Sequence, residues 1–157
     1  MHLTPSGFFV ASGKATSRTS DLNAFDGALY DAGISEQNLV AVSSVIPVGV
    51  KESEKKELPM GAVTHCVLSQ IRGCGGDVIS SGIAYAYRRD GRGGYVAEGR
   101  LHGCEADLRH ELESKMREMS EMRGVELEEV RLVTVGHRIP PGEYGCCVAA
   151  LVFTGYR

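Results

Sequence analysis

The sequence lacks a long apolar run, a recognisable secretion signal and an excess of charge of one sign. No stretch of about 18 consecutive apolar residues occurs, so a membrane-spanning helix is not expected. The first residues, MHLTPSGFF, contain no basic start followed by a long apolar stretch, which argues against a signal peptide. The net charge is -3, so an electrostatic surface for nucleic acid is not expected either.

The cysteines also lack the pattern of a disulfide framework. There are five of them, an odd number, and Cys146 and Cys147 are adjacent. No CxxC pair occurs, and reduced thiols in a cytoplasmic protein are the simplest interpretation. His65-Cys66 and His102-x-Cys104 could contribute metal ligands, but their spacing does not repeat as it does in structural zinc sites. The sequence therefore predicts no metal centre.

The chain has what one folded domain needs. Hydrophobic residues make up 43% of 157 residues, which is enough for a core of its own. No internal repeat, low-complexity segment or linker divides the sequence. We therefore expect a single domain over residues 1–157.

Two helices are predicted, over 21–32 and 104–123. Ser20 or Asp21 can cap the first helix, and Gly33 is placed to end it. The second helix carries apolar residues at three- and four-residue spacing, which is typical of a helix that packs on a core. These residues are Leu108, Leu112, Met116, Met119 and Met122.

Strands outnumber helices in the predicted fold. Strands are expected over 7–11, 39–46, 61–71, 78–87, 94–98, 129–138 and 145–153. Polar segments at 12–20 and 51–57 are expected to be exposed loops, and the glycine-rich 73–77 a turn. Most connections are too short to hold a crossover helix. The pattern therefore predicts an α+β domain with largely antiparallel sheet and helices on the sheet faces.

The segment LVAVSSVI (39–46) contains two serines in an otherwise apolar run. Burial of two hydroxyl groups in a core strand costs free energy unless both are hydrogen-bonded. Ser80-Ser81 interrupts another apolar run in the same way. A serine pair alone therefore favours hydrogen bonding to neighbouring backbone, or a bend of the strand at that point, over chemistry at Ser43-Ser44.

The surrounding motifs point to chemistry at the first pair. Together they resemble the pyruvoyl-dependent arginine decarboxylase family, and the resemblance covers nearly the whole chain. The motifs are LNAFDGAL (22–29), AGI (32–34), Asn38, LVAVSSVIP (39–47), LPMGA (58–62), GYVAE (94–98) and EMRG (121–124). The loop VGVKESEKKE after Pro47 and the residues after Glu98 depart from the family pattern.

The resemblance implies a self-processing enzyme. Ser44 would attack the carbonyl of Ser43, and the chain would separate into a β chain, 1–43, and an α chain, 44–157. Ser44 would become a covalent pyruvoyl group, which acts as pyridoxal phosphate does in other decarboxylases. The implied reaction converts L-arginine to agmatine and carbon dioxide in polyamine metabolism. The implied fold is a layered αββα sandwich, assembled as a trimer or a pair of trimers with active sites between neighbours.

Three further residues match family positions. Asp26 resembles the carboxylate that binds the guanidinium group, Asn38 a residue beside the processing serine, and Glu98 the proton donor. Each also has an ordinary explanation. Asp26 can be a helix charge that interacts with the dipole, Asn38 a loop residue before a strand, and Glu98 a solvated charge.

Other functions stay open at the level of sequence. The same self-processing fold could act on a different amine, such as S-adenosylmethionine. An unprocessed, non-enzymatic paralogue and a metal-binding module built from the Cys and His residues are more distant alternatives. The mass of the purified chain separates processed from unprocessed forms.

Overall fold

The computed structural model describes all 157 residues as two helices and nine strands. The helices are α1 (Asp21–Ala32) and α2 (Glu105–Arg123). The strands are β1 (Pro5–Ser17), β2 (Asn38–Ala41), β3 (Val45–Ile46), β4 (Lys51–Glu52), β5 (Val63–Cys74), β6 (Val78–Tyr87), β7 (Gly94–Leu101), β8 (Arg131–Arg138) and β9 (Tyr144–Tyr156). Neither helix combines the length and apolar character that a membrane crossing requires.

The strands form two sheets. The five-stranded sheet has the order β2-β5-β9-β1-β4, and the four-stranded sheet has the order β3-β7-β6-β8. All neighbours are antiparallel except β1 with β4 and β2 with β5. The prediction of an α+β domain with largely antiparallel sheet is confirmed.

The core consists of apolar layers that alternate with the sheets. Phe8 and Phe9 are consecutive and fully buried, and they point to opposite faces of β1 because side chains alternate along a strand. Phe9 packs with α1, whereas Phe8 packs between the two sheets. Leu108 and Leu112 of α2 cover the outer face of the four-stranded sheet. The layers therefore follow the order α1, five-stranded sheet, four-stranded sheet, α2, which is the αββα sandwich that the resemblance implied.

The helix ends follow the predicted capping chemistry. The Ser20 hydroxyl accepts a hydrogen bond from the Asn23 amide at 3.0 Å at the start of α1. Gly33 ends α1 with φ of 76° and Gly124 ends α2 with φ of 63°, in the left-handed region that favours glycine.

The prediction of a loop over 12–20 is wrong for residues 12–17. This segment continues β1 in unbroken register with β9 as far as Ser17, which lies opposite Tyr144. Its small residues reflect close packing rather than a loop, because a Cβ at Gly13 would lie 2.3 Å from the Ala28 carbonyl oxygen of α1. The charged segment 51–57 is exposed as expected except at Ser53, but Lys51–Glu52 form the short edge strand β4.

The prediction of one buried strand over 39–46 is also wrong. The chain leaves the five-stranded sheet after β2 and enters the four-stranded sheet at β3. Residues 42–44 connect the two sheets, and we call them the crossover. Ser43 is exposed and Ser44 is half-buried at a bend. The apolar residues around the serines therefore belong to two different sheets rather than to one core strand.

Candidate active site

The crossover is anchored at both ends by backbone hydrogen bonds to different sheets. The Val42 amide donates to the Cys66 carbonyl of β5 at 2.9 Å. The Val96 amide of β7 donates to the Ser44 carbonyl, also at 2.9 Å. The Ser43-Ser44 peptide bond therefore lies in the gap between β5 and β7. A cut at this bond would leave β2 and β3 paired as they are.

The second serine pair has a different environment. Ser80 and Ser81 are fully buried, and both hydroxyls donate hydrogen bonds inside the sandwich. Ser80 donates to the Gly103 carbonyl at 2.6 Å. Ser81 donates to the Ser69 hydroxyl at 2.7 Å, and Ser69 donates to the Gly99 carbonyl at 2.5 Å. Both hydroxyls of this pair are thus hydrogen-bonded and the pair has a structural role, whereas Ser43-Ser44 lies at a sheet junction.

Glu98 lies close to the crossover. It follows Val96 by two residues on β7, so its side chain shares a face with that of Val96. Burial, together with the negative charge of Glu98, raises the pKa of the Cys66 thiol to about 11. The backbone carbonyl of Cys66, not its thiol, accepts the hydrogen bond from the Val42 amide. Glu98 is therefore two residues along β7 from the amide that holds the Ser44 carbonyl, and its side chain is exposed.

Glu98 lines a cavity of about 550 Å³, which we call the Glu98 cavity. The other lining residues are Ala41, Leu68, Ser69, Gln70, Gly99, Arg100 and Lys115. Lys115 of α2 donates a hydrogen bond to the Glu98 carbonyl at 2.9 Å and pairs with Glu111 at 3.3 Å. The cavity exists because β2 pairs with β5 only as far as Cys66, which leaves the rest of that β5 edge open. Its charged lining suits a small polar molecule.

Asp26 does not line the Glu98 cavity. It is exposed on α1, which covers the outer face of the five-stranded sheet. Its neighbour Phe25 lies under the Arg72 guanidinium, whose carbon is 4.7 Å from the ring centre. Arg72 also pairs with Asp21 at 3.5 Å. A single chain therefore leaves the Asp26 carboxylate facing outward.

Asn38 begins β2, at the end away from the crossover. Its side-chain amide donates to the Gly61 carbonyl at 2.9 Å, and its backbone amide donates to the Ala62 carbonyl at 2.9 Å. Two strand residues, Leu39 and Val40, separate it from Ala41, and the three residue steps span about 10 Å. Ser44 is thus bonded to the strand that carries Glu98, through the Val96 amide, whereas Asp26 and Asn38 lie elsewhere and neither lines the cavity.

Sequence reasoning missed the cationic part of the cavity. Lys115 adjoins Met116 in the sequence, at the border of the buried stripe of α2, so it resembles an ordinary surface lysine. Arg100 follows Glu98 by two residues, a spacing that places both side chains on one face of a strand. That spacing is the only signal that could have found Arg100.

Comparison with known proteins identifies the family. The family model described as "Pyruvoyl-dependent arginine decarboxylase (PvlArgDC)" matches residues 7–157. The chain belongs to this family. The resemblance that the motifs indicated is therefore confirmed over almost the whole sequence.

Curated relatives agree with the family match. A pyruvoyl-dependent arginine decarboxylase of Methanopyrus kandleri is 35% identical over 96% of this chain and 98% of its own length. One of Methanothermobacter thermautotrophicus is 36% identical over 92% of this chain and 93% of its own length. One of Methanocaldococcus jannaschii is 36% identical over 82% of this chain and 78% of its own length. The similarity therefore extends over most of the length of each of these relatives.

The family implies a covalently bound pyruvoyl group, and the surroundings of Ser44 fit one. The Ser44 carbonyl, which would adjoin the pyruvoyl ketone, is held by the Val96 amide. The bend at Ser44 leaves its side chain half-exposed rather than packed in a core. The sheets hold both neighbours of the bond independently, so a new chain end at residue 44 requires no rearrangement of strands.

Proposed function

We propose that the chain cleaves itself between Ser43 and Ser44 and then decarboxylates L-arginine to agmatine and carbon dioxide. The observation that carries the proposal is the family match over residues 7–157. The position of Ser43-Ser44 at the sheet junction, bonded to the strand that carries Glu98, supports it.

In the proposed maturation, the Ser44 hydroxyl oxygen bonds to the Ser43 carbonyl carbon and the peptide becomes an ester. Loss of the Ser44 α-proton then expels residues 1–43 with a free carboxylate. The unsaturated residue left at position 44 takes up water and releases ammonia, which leaves the pyruvoyl group. Val42 and Ser44 are bonded to different sheets, which holds both sides of the peptide bond in place and supports this order of chemical steps.

In the proposed turnover, the pyruvoyl group supplies an electrophilic ketone for the substrate amine and an electron sink for the bond that breaks. Glu98 delivers a proton to the carbon that loses carbon dioxide. Its place on β7, on the same face as Val96, supports this role. Lys115 holds the backbone of Glu98 from α2 and so limits movement of the acid.

Asp26 is proposed to bind the guanidinium group, with Asn38 as a second substrate-binding residue. Both lie outside the Glu98 cavity, so we propose a trimer, or a pair of trimers, in which neighbouring chains complete each site. Exposed apolar residues beside the crossover support burial of this surface by another chain. They are Leu3, Val40, Val42, Val45, Val48 and Val63. All five cysteines are unpaired, which supports a cytoplasmic location.

Intact mass and carbon dioxide release test the proposal together. The purified chain is expected to give two fragments, 1–43 and 44–157, the larger one blocked to Edman sequencing. Ser44→Ala should remain one intact chain, whereas Ser81→Ala, which removes a hydroxyl from the buried serine pair, should cleave normally. The processed protein should release carbon dioxide from arginine and not from S-adenosylmethionine. A wild-type chain that stays intact on prolonged incubation contradicts the proposal.

A further inference from the structure

A second, smaller cavity also borders the crossover. It measures about 210 Å³, and Val42 and Val45, the residues on either side of Ser43-Ser44, are part of its lining. The other lining residues are Leu3, Pro5, Pro47, His65, Phe153 and Tyr156. Among these apolar walls only His65 and Tyr156 can exchange protons. We call this space the His65 cavity.

The imidazole of His65 is held by a neighbouring strand. Its Nδ1 is hydrogen-bonded to the Tyr156 hydroxyl of β9. The two rings also pack edge to face, with centres 5.5 Å apart and planes at 78°. A ring held by both a hydrogen bond and an aromatic contact has little freedom to rotate.

The strand places this imidazole on the side where the crossover runs. Side chains alternate along β5, and Cys66 packs in the layer under α1. Val67 and His65 therefore point the other way, and Val67 packs between the two sheets. The backbone carbonyl of Cys66 accepts a hydrogen bond from the Val42 amide, so the crossover begins directly beside His65.

From this arrangement we infer that His65 accepts the proton of the Ser44 hydroxyl during self-cleavage, and that Tyr156 positions it. The inference rests on the proposed self-processing. As the Ser44 oxygen bonds to the Ser43 carbonyl carbon, Nε2 takes the hydroxyl proton. As the bond from that carbon to the Ser44 nitrogen breaks, the imidazolium returns the proton to the nitrogen. The step yields an ester and a free amine with no net gain or loss of protons or electrons.

The hydrogen bond to Tyr156 is compatible with the tautomer that this role needs, because a phenol oxygen accepts as well as donates. A neutral imidazole with its proton on Nδ1 donates to the Tyr156 oxygen and keeps the Nε2 lone pair free. Apart from Tyr156, no other side chain that lines the His65 cavity offers that nitrogen a hydrogen-bond partner. Maturation and turnover thus use different cavities: His65 serves the first and Glu98 the second.

The rate of self-cleavage tests the inference. His65→Gln is expressed beside His110→Gln, which removes an exposed histidine of α2, and samples are taken over time for intact mass. His65→Gln is expected to cleave about 100-fold more slowly, the scale for loss of a general base. His110→Gln should match the wild type. Added imidazole should restore cleavage of His65→Ala, a result that a purely structural role would not give.

Tyr156→Phe tests the positioning role. Tyr144→Phe is its matched control, because the two tyrosines lie at opposite ends of β9 and are 40% and 41% exposed. Tyr156→Phe should cleave more slowly than wild type and Tyr144→Phe should not. If His65→Gln does not fold, as judged by circular dichroism, this pair decides the question.

Hydroxylamine separates the two chemical steps of maturation, because it cleaves esters and leaves peptides intact. The uncleaved His65→Gln chain is expected to resist hydroxylamine, since it stops before the ester forms. Accumulation of a hydroxylamine-sensitive chain would overturn the inference, because the ester would then form without His65. Cleavage of His65→Gln at the wild-type rate would also overturn it while leaving the proposed function standing. A wild-type chain that never cleaves would instead remove the proposed function itself.

Discussion

At the scale of single residues, two identical dipeptides have opposite environments. Ser80-Ser81 lies inside the sandwich with every hydroxyl hydrogen-bonded, and Ser43-Ser44 lies at the junction of two sheets. Both pairs interrupt an apolar run of the sequence. The difference comes from whether the segment stays in one sheet, and this decides which pair is accessible for chemistry.

Glu98→Gln should fold and cleave but turn over arginine about 100-fold more slowly, the usual scale for loss of a general acid. The amide keeps the size of the side chain and cannot donate an acidic proton. Steady-state carbon dioxide release by the processed variant, with pyruvoyl content measured in parallel, checks this. Glu113→Gln, on the exposed face of α2, is the control. A near-normal rate would assign the proton to another group, and failure to cleave would place Glu98 in maturation.

Asp26→Asn should cleave itself normally but decarboxylate arginine with a much lower kcat/KM. The structure shows Asp26 exposed on α1, so its removal is not expected to disturb the core. If its pairing with a guanidinium contributes about 3 kcal/mol, kcat/KM falls on the order of a hundredfold. Asp107→Asn, in the first turn of α2, is the matched control. Unchanged arginine kinetics in Asp26→Asn would remove this residue from the site.

At the scale of elements, the position of α1 depends on the small residues of β1. Gly13 faces the helix backbone, and an added Cβ would lie 2.3 Å from the Ala28 oxygen and 2.6 Å from the Ala32 nitrogen. These are backbone atoms, so the helix would have to move as a whole. α1 can therefore pack this closely on β1 only because β1 has small residues there. The same small residues predicted a loop from the sequence.

Gly13→Ala should accordingly lower the free energy of unfolding by about 1–3 kcal/mol, the usual cost of overpacking. Denaturant unfolding monitored by circular dichroism measures this. Ser12→Ala, at the exposed neighbouring position of β1, should change stability little. Equal stability of Gly13→Ala and wild type would show that α1 shifts freely, and Asp26 would then have no fixed position relative to the sheet.

At the scale of the whole molecule, a cut at the crossover does not divide the structure. Residues 1–43 contain β1, α1 and β2, which are integral parts of the sandwich. β1 pairs with β9 from Pro5 opposite Tyr156 to Ser17 opposite Tyr144. The proposed β chain thus contributes two strands, the interior strand β1 and the edge strand β2, to a sheet whose other three strands belong to the α chain.

The two fragments of the processed protein should therefore elute together in native size-exclusion chromatography and separate only in denaturant. Uncleaved Ser44→Ala should elute at the same volume as the processed protein. Mass spectrometry of the native peak verifies that both fragments are present. Loss of fragment 1–43 from this peak would show that pairing of β1 with β9 is too weak to hold the cleaved chain.

The sequence alone determined the class of the fold, the two helices with their caps, most strands and the family. These depend on local patterns, such as apolar spacing along α2, the Ser20 cap and the glycines at helix ends. The motif around Ser43-Ser44 also lies in one continuous segment, so it can be recognised without knowledge of long-range contacts.

Only the tertiary structure decided how β1 and the crossover are arranged and which residues meet around them. β1 extends through polar residues because β9 supplies hydrogen bonds and α1 covers Gly13. The apolar run 39–46 divides between two sheets because its partners, β5 and β7, are distant in sequence. For the same reason Lys115 meets Glu98, and His65 meets Tyr156, only after folding. A local sequence pattern indicates that a residue is buried. Long-range strand pairing decides which residues it packs against.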